Sequence, residues 1–353
     1  MTGRAFPFAW LGGSLLVMLL ALTSVAKGSS PVPLRDVLSA VAGPLAPRLG
    51  LRPVEVTVQR IVQELRLPRA LLAAMVGAGL AMVGALLQTA TRNDLADPFL
   101  FGLSSGASAG AVAVITTTGE WLGIWTLPLA ALAGGLLSAF AVLLIVNRSR
   151  NEGPEKLVLA GLATSFVFGA LTHYLVFAGD QRAAHSVLFW SLGGLGLARW
   201  DNLALAMAGV GLLALYAARR RHALDGLLAG DETAQSLGLR PDRLRAEIFL
   251  VSAMATACFV SLTGVIGFVG LMVPHLVRPL CGALHTRLLA ACAMAGAALL
   301  LASDIACRTL LSPQELPIGI VTAAVGALFV IALVLRTPPA PMAAWLEHLN
   351  PTT

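Results

Sequence analysis

Five carboxylates border the apolar runs of this sequence: Asp94, Asp97, Asp180, Asp304 and Glu315. A carboxylate held at mid-membrane is what an ion-gradient transporter needs, because it can bind and release a proton or sodium ion there. All five fall at the ends of runs, which counts against that chemistry. The histidines are His173, His185, His222, His275, His285 and His348. His173 beside Tyr174, and His185 just beyond, have ring nitrogens that could touch a haem, but a lone polar group on a membrane helix more often pairs with a neighbouring helix. Cys258, Cys281, Cys292 and Cys307 lie in or beside apolar runs with no Cys-x-x-Cys, and read as small buried hydrophobes. No residue set has metal-site spacing, and no His-Glu-x-x-His occurs. The only lysines, Lys27 and Lys156, follow no glycine. The chain therefore has no Gly-x-x-x-x-Gly-Lys-Ser/Thr loop to cradle nucleotide phosphates and does not bind nucleotide by a P-loop. Ser104-Ser105-Gly106 has no histidine and acid arranged to activate a nucleophile, which leaves a membrane enzyme as a distant reading.

The elements around these residues belong to a bilayer. Charged residues make up 12% of the chain and hydrophobic residues 57%, and the mean hydropathy is +0.83. That charge content is about half the share found in soluble domains. The apolar runs are long enough for helices of roughly 20 residues, not the alternating ten-residue segments of a barrel. Ten spans are expected, with cores at 8–26, 67–90, 101–117, 126–147, 157–178, 203–218, 246–263, 266–282, 288–307 and 317–335. Pro274 in the eighth predicts a broken or kinked helix. The net charge of +6 sits mostly in short gaps between runs. Arg4, then Arg148, Arg150 and Lys156, then Arg219-Arg220-Arg221 with Arg240, Arg243 and Arg245, and finally Arg336, all fall on one side of an even number of spans. The positive-inside rule makes that side cytoplasmic and accounts for the charge without nucleic acid. The first outer loop, 27–66, carries Arg35, Arg48, Arg52 and Arg60 besides Arg66 and is outvoted.

Small residues mark packing faces. Gly77, Gly79, Ala81 and Gly84 line the second span, and Gly264, Gly267 and Gly270 recur three apart, which would place them on one face of a helix. Beyond the sixth span, Gly230 precedes Asp231 and Glu232, which suit the positive end of a short helix. Gly238 is placed to stop it. Ala234, Leu237 and Leu239 would give that helix a small apolar face. At the outer ends of spans, Arg66, Arg69 and Arg308 either snorkel to headgroups or face a partner. Asp304 lies one helical turn from Arg308 and is placed to neutralise it.

Several ordered motifs resemble the FecCD-type permeases, the membrane subunits of ATP-driven importers for haem, ferric siderophores and cobalamin. They are Arg66-Leu67-Pro68-Arg69; the stretch from Arg92-Asn93-Asp94 to Asp97-Pro98; Gly102-Leu103-Ser104-Ser105-Gly106; Leu159-Ala160-Gly161-Leu162; the glycine-rich run from Gly264 to Val273-Pro274-His275; and Glu315-Leu316-Pro317-Ile318-Gly319-Ile320. Departures are Asp94 and Ala327, where the family more often has proline, and a loose Leu284-His285-Thr286-Arg287 turn. The resemblance implies an all-α polytopic fold of type II ABC importer permease architecture, with residues 1–353 forming one transmembrane permease domain. It implies that 227–239 is the coupling helix that docks on the ATPase, through Gly230, Asp231, Glu232, Ala234, Leu237 and Gly238. Arg66, Arg69 and Arg308 would meet acidic residues of a binding protein. Ser104, Ser105, Gly267, Gly270, Pro274 and His275 would belong to the path or its cytoplasmic gate. It further implies a homodimer in the bacterial inner membrane, two cytoplasmic ATPase subunits and a periplasmic substrate-binding protein. No permanent cofactor is expected; ATP belongs to the partner subunit, and the cargo is expected to be haem, then ferric siderophore, then cobalamin.

Overall fold

A computed structural model describes residues 5–28, 31–119, 121–149, 153–180 and 183–336. Arg4, Arg150 and His348 lie outside the described residues. Among the described residues there is helix and no strand, as a chain in lipid requires when its backbone must satisfy itself within each segment.

The chain begins with α1 (Ala5–Ala26), and a region of short helices follows it. There α2 (Leu34–Ala42) turns Val37, Ser39 and Ala40 inward. Next α3 (Val56–Arg60) runs through a π-helical turn, Ile61–Arg66, into α4 (Leu67–Thr91). The remaining crossings are α5 (Leu103–Ala113, extended by a π-turn to Thr118), α6 (Thr126–Arg148), α7 (Glu155–Ala178), α9 (Trp200–Leu228), α11 (Pro241–Thr263), α12 (Val269–Cys281), α13 (His285–Thr309) and α14 (Ile318–Arg336). Two short helices lie between crossings: α8 (Ala183–Ser191) on the outer side and α10 (Asp231–Ser236) on the inner side. Seven of these helices are long and apolar enough to cross a membrane by themselves; Trp10–Ala26 and Val269–Cys281 are shorter apolar helices. All ten expected spans therefore have a helical counterpart.

The core sits on α4. Its most apolar stretch is 78% buried, against 17–28% for α6, α7, α9 and α14, which leave most of their surface to lipid or to a partner. Small residues let α1, α9, α11, α12 and α13 close around it. A Cβ on Gly77 would lie 2.2 Å from the Gly296 carbonyl oxygen of α13, one on Gly79 would meet the Phe259 ring of α11, and one on Gly84 would lie 1.9 Å from the Gly270 carbonyl oxygen of α12. In lipid such backbone approach is the main source of helix association, because hydrocarbon provides no hydrophobic drive between helices. Gly84→Val should therefore prevent α4 and α12 from docking. We expect loss of the monodisperse peak in detergent size exclusion and a lower melting temperature, whereas Gly267→Ala, with nothing within 4 Å of the added carbon, should behave as wild type.

The expected eighth span is corrected. Helix α12 begins at Val269, not 266, and residues 264–268 are not helical. Gly264 has φ +66 and Phe268 φ +68. A side chain at Gly264 would also strike the Trp190 carbonyl, 2.2 Å away. Gly264, Gly267 and Gly270 thus do not form one helical face; only Gly270 is in the helix. The break lies upstream of Pro274, which sits buried inside continuous α12. At about 1.5 Å per residue, the 13 residues of α12 reach roughly 20 Å, short of a 30 Å hydrocarbon core. Protein groups take up part of the freed backbone: Gly264 N donates to Val260 O at 2.8 Å, Thr263 Oγ1 donates to Gly264 O at 3.1 Å, and Phe268 O accepts from Met272 N at 2.9 Å.

Candidate functional site

Three places in the fold collect the residues singled out by sequence. At the outer end, the guanidinium of Arg308 is spent inside the protein. Its Nη1 donates to Lys27 O at 2.7 Å, and its Nη2 donates to Ser24 O at 2.7 Å, Ser24 Oγ at 2.8 Å and Asp304 Oδ2 at 2.6 Å. Arg69 donates to the other oxygen of Asp304 at 2.8 Å and to Glu315 Oε2 at 2.8 Å. Arg66 Nη1 donates to Val25 O and Ala26 O at 3.0 and 3.1 Å. Asp304 is fully buried, and Arg66 and Arg308 are only 8% and 4% exposed. This corrects the picture of three outward arginines: two are buried and staple α1, α4 and α13 together. The three arginines and Glu315 do border a cavity of about 380 Å³, with Gly28, Leu195 and Gly196 on its walls.

At the inner end, α10 occupies Asp231–Ser236, flanked by Gly230 at φ +120 and Gly238 at φ +75. Ala234 is fully buried, and Leu237 is 64% exposed. The side chains of Glu232, Thr233, Gln235 and Ser236 are also exposed. The small apolar face expected of this helix is therefore divided: Ala234 is buried, while Leu237 is mostly exposed with its Cδ1 beside Gly226 of α9. Asp231 is not free, because Arg245 Nη2 donates to its Oδ1 and Arg92 Nη1 lies 3.8 Å from that oxygen. Arg245 is itself buried and donates from Nε to Ala90 O at 3.0 Å, which ties α10 and α11 to the inner end of α4.

Between these ends, a cavity of about 460 Å³ is lined by Asp97, Phe99, Leu192, Gly267, Phe268 and Ile320, among others. Of the residues assigned to the path or gate, Gly267 lines it. Ser104 is buried, and Ser105 Oγ donates to Gly102 O at 3.3 Å. Gly270 is pressed between Leu80, Gly84 and Pro98. Pro274 is buried, and the His275 ring meets Phe329 of α14 edge-on, with centroids 5.5 Å apart. Asp97 lies inside the protein. It accepts from Phe99 N at 2.9 Å and from Leu271 N at 3.1 Å. Helix α12 has no capping side chain of its own, so Asp97 caps it from another segment. The sequence gives no signal for that cap, because donor and acceptor are 174 residues apart.

The sequence matches the FecCD transport family over residues 15–336. The chain belongs to this family. It is 37% identical to the cobalamin import system permease protein BtuC of Halobacterium salinarum (strain ATCC 700922 / JCM 11081 / NRC-1), over 94% of this chain and 96% of that protein. It is 33% identical to the hemin transport system permease protein HmuU of Yersinia pestis, over 95% and 98%. Its fold aligns with an inward-facing metal-chelate type ABC transporter at TM-score 0.79 and 31% identity, covering 94% of this chain and 99% of that one. This FecCD chain is thus a multi-pass permease subunit of an ABC importer with an all-α polytopic fold, and hydrolysis of ATP resides on a separate chain. Its cysteines are free thiols, Cys292 and Cys307 buried and Cys258 and Cys281 partly so.

Proposed function

We propose that two copies of this chain form the path of an importer in the bacterial inner membrane, carrying a chelated metal complex from periplasm to cytoplasm by alternating access. Two cytoplasmic ATPase subunits would bind α10 and its flanks, and a periplasmic binding protein would dock over the outer cavity. The observation that carries this reading is α10: a two-turn helix outside the apolar spans, beside the basic inner loops, with an exposed leucine and a polar surface and no fold of its own to cover them. The outer cavity supports the docking half. Arg69 keeps 17% of its side chain exposed beside Glu315, so an acidic side chain from above could reach guanidinium nitrogens without opening the staple.

For cargo, the named relatives point to cobalamin and to hemin at similar identity. The apolar, glycine-rich cavity beside 264–268 suits a large rigid complex that stays intact during passage. The assay is uptake into liposomes holding the permease, its ATPase and its binding protein, offered haem, ferric siderophore and cobalamin in turn. ATP should drive uptake of one of the three. Uptake by the permease alone on a proton or sodium gradient would overturn the reading and favour an ion-driven transporter. Free metal ion taken up in preference to every chelate would overturn the cargo class.

A further inference from the structure

The segment 92–97 leaves α4, turns under the molecule and enters the one-turn 3-10 helix Pro98–Phe101 that leads to α5. Three of its side chains, Arg92, Asp94 and Asp97, reach neighbouring elements. At its start, Arg92 holds the left-handed conformation, φ 51, and its guanidinium covers Gly230, so that a Cβ there would lie 2.8 Å from Nη2. The same guanidinium lies 3.8 Å from Asp231, the first residue of α10. In the middle, Asp94 accepts from Nη1 of Arg278 on α12. Arg278 Nη2 donates to Gln88 Oε1 at 2.9 Å, and Gln88 Nε2 in turn donates to Gly270 O and Leu271 O, both at 3.3 Å. At its end, Asp97 caps the first turn of α12 through Leu271 N. A six-residue segment thus holds α10 at one end and α12 at two places.

The consequence lies at the far end of α12. The residues before its first turn are the non-helical 264–268, which border the 460 Å³ cavity. Phe268 packs against Gly326 of α14, where a Cβ would come within 2.3 Å of the Phe268 Cβ. Packed elements of this kind shift between discrete arrangements and do not deform smoothly, so a displacement at one anchor is passed to the next. We propose that the 92–97 segment is a lever that carries movement of α10 to the capped end of α12 and so repositions 264–268 beside the cavity. Asp94 and Arg278 act as positioning residues away from the cavity, and Asp97 holds α12 from the cavity wall. The inference rests on the reading of α10 as the ATPase contact and names the route inward from it.

The test uses the complete importer in liposomes, with permease, ATPase and binding protein. Asp94 has a 66% exposed side chain, so its replacement should leave the fold standing. Asp94→Arg and Arg278→Asp are each expected to lower cargo moved per ATP hydrolysed by roughly 5-fold or more, the lower end of measured site-to-site couplings. The ATPase should remain bound and active in both. The exchanged pair, Asp94→Arg with Arg278→Asp, should recover at least about half of the wild-type ratio, since it restores the attraction with its polarity reversed. Asp94→Asn, which removes only charge, gives the same readout should Arg278→Asp fail to fold. An unchanged ratio in the Asp94 variants overturns the lever. So does an exchanged pair no better than the worse single variant while melting as wild type. A parallel Leu237→Asp complex separates this outcome from failure of the α10 reading: if that variant still holds the ATPase, the contact is misassigned whatever the Asp94 series gives.

Discussion

Arg308→Glu is expected to melt the permease well below wild type in detergent, with no partner protein present. Arg308 lies inside the outer end of the molecule; three of its hydrogen bonds join α13 to Ser24 and Lys27 at the end of α1, and two more go to Asp304 one turn back. Glutamate removes all of these. It also sets a second carboxylate one turn from Asp304, which is fully buried and would keep only Arg69 and Ser24 as partners. Breaking a buried ion pair by removing one partner costs about 3–5 kcal/mol, because the remaining charge has been taken out of water without compensation. Arg308→Lys should fall between, as one ammonium cannot reach acceptors on two elements in the guanidinium's fork geometry. Thermal melting of the purified permease checks this. If Arg308→Glu melts as wild type and loses only affinity for the binding protein, the arginine is a docking residue and the staple contributes little.

That prediction shows where sequence reading stops. The ten crossings were legible because each is a long apolar run, and lipid leaves such a run no alternative to a helix. The start of α10 was legible too, since Gly230 supplies a backbone that other residues resist; the expected range 227–239 was too long, because Leu227 and Leu228 complete α9 and α10 ends at Ser236. Asp304 beside Arg308 could be read from a spacing of four. What could not be read was where the rest of the guanidinium goes. Its carbonyl partners on Ser24 and Lys27 are more than 280 residues away, and carbonyls leave no mark in a sequence.

The glycine run shows the opposite failure. Gly264, Gly267 and Gly270 have helical spacing, yet Gly264 is used for its positive φ and only Gly270 for close packing. Spacing cannot tell these uses apart, because both require the absence of a side chain. The outer helices α2, α3 and α8 were hidden for a related reason. They are short, five to nine residues, a length at which a helix is not specified by its own propensity. Asp231 belongs here as well. The sequence marks it as the start of a helix exposed to a partner, but Arg245 and Arg92 claim its carboxylate. Asp231→Lys would therefore disturb the permease itself and is a poor probe of ATPase contact.

Leu237→Asp is the clean probe, and its effect should be large. Leu237 is 64% exposed just past the end of α10, with its Cδ1 3.3 Å from where a Cβ on Gly226 would stand. The permease loses little by its replacement, since the side chain is mostly in water already, so melting should match wild type. If an ATPase groove receives this helix, the leucine becomes a buried apolar anchor and the aspartate a charge forced into that groove. Anchors of this type carry about 2 kcal/mol or more of binding energy, a loss of roughly 30-fold in affinity. The carboxylate adds a desolvation cost beyond the lost contact. Pull-down of the ATPase by the detergent-solubilised variant should fail at concentrations where wild type is saturated, and ATP-driven uptake should vanish with it. Retained pull-down with full transport would place the ATPase contact elsewhere on the inner face, with the exposed arginines of the α9 end, Arg219 and Arg221, the next surface to test.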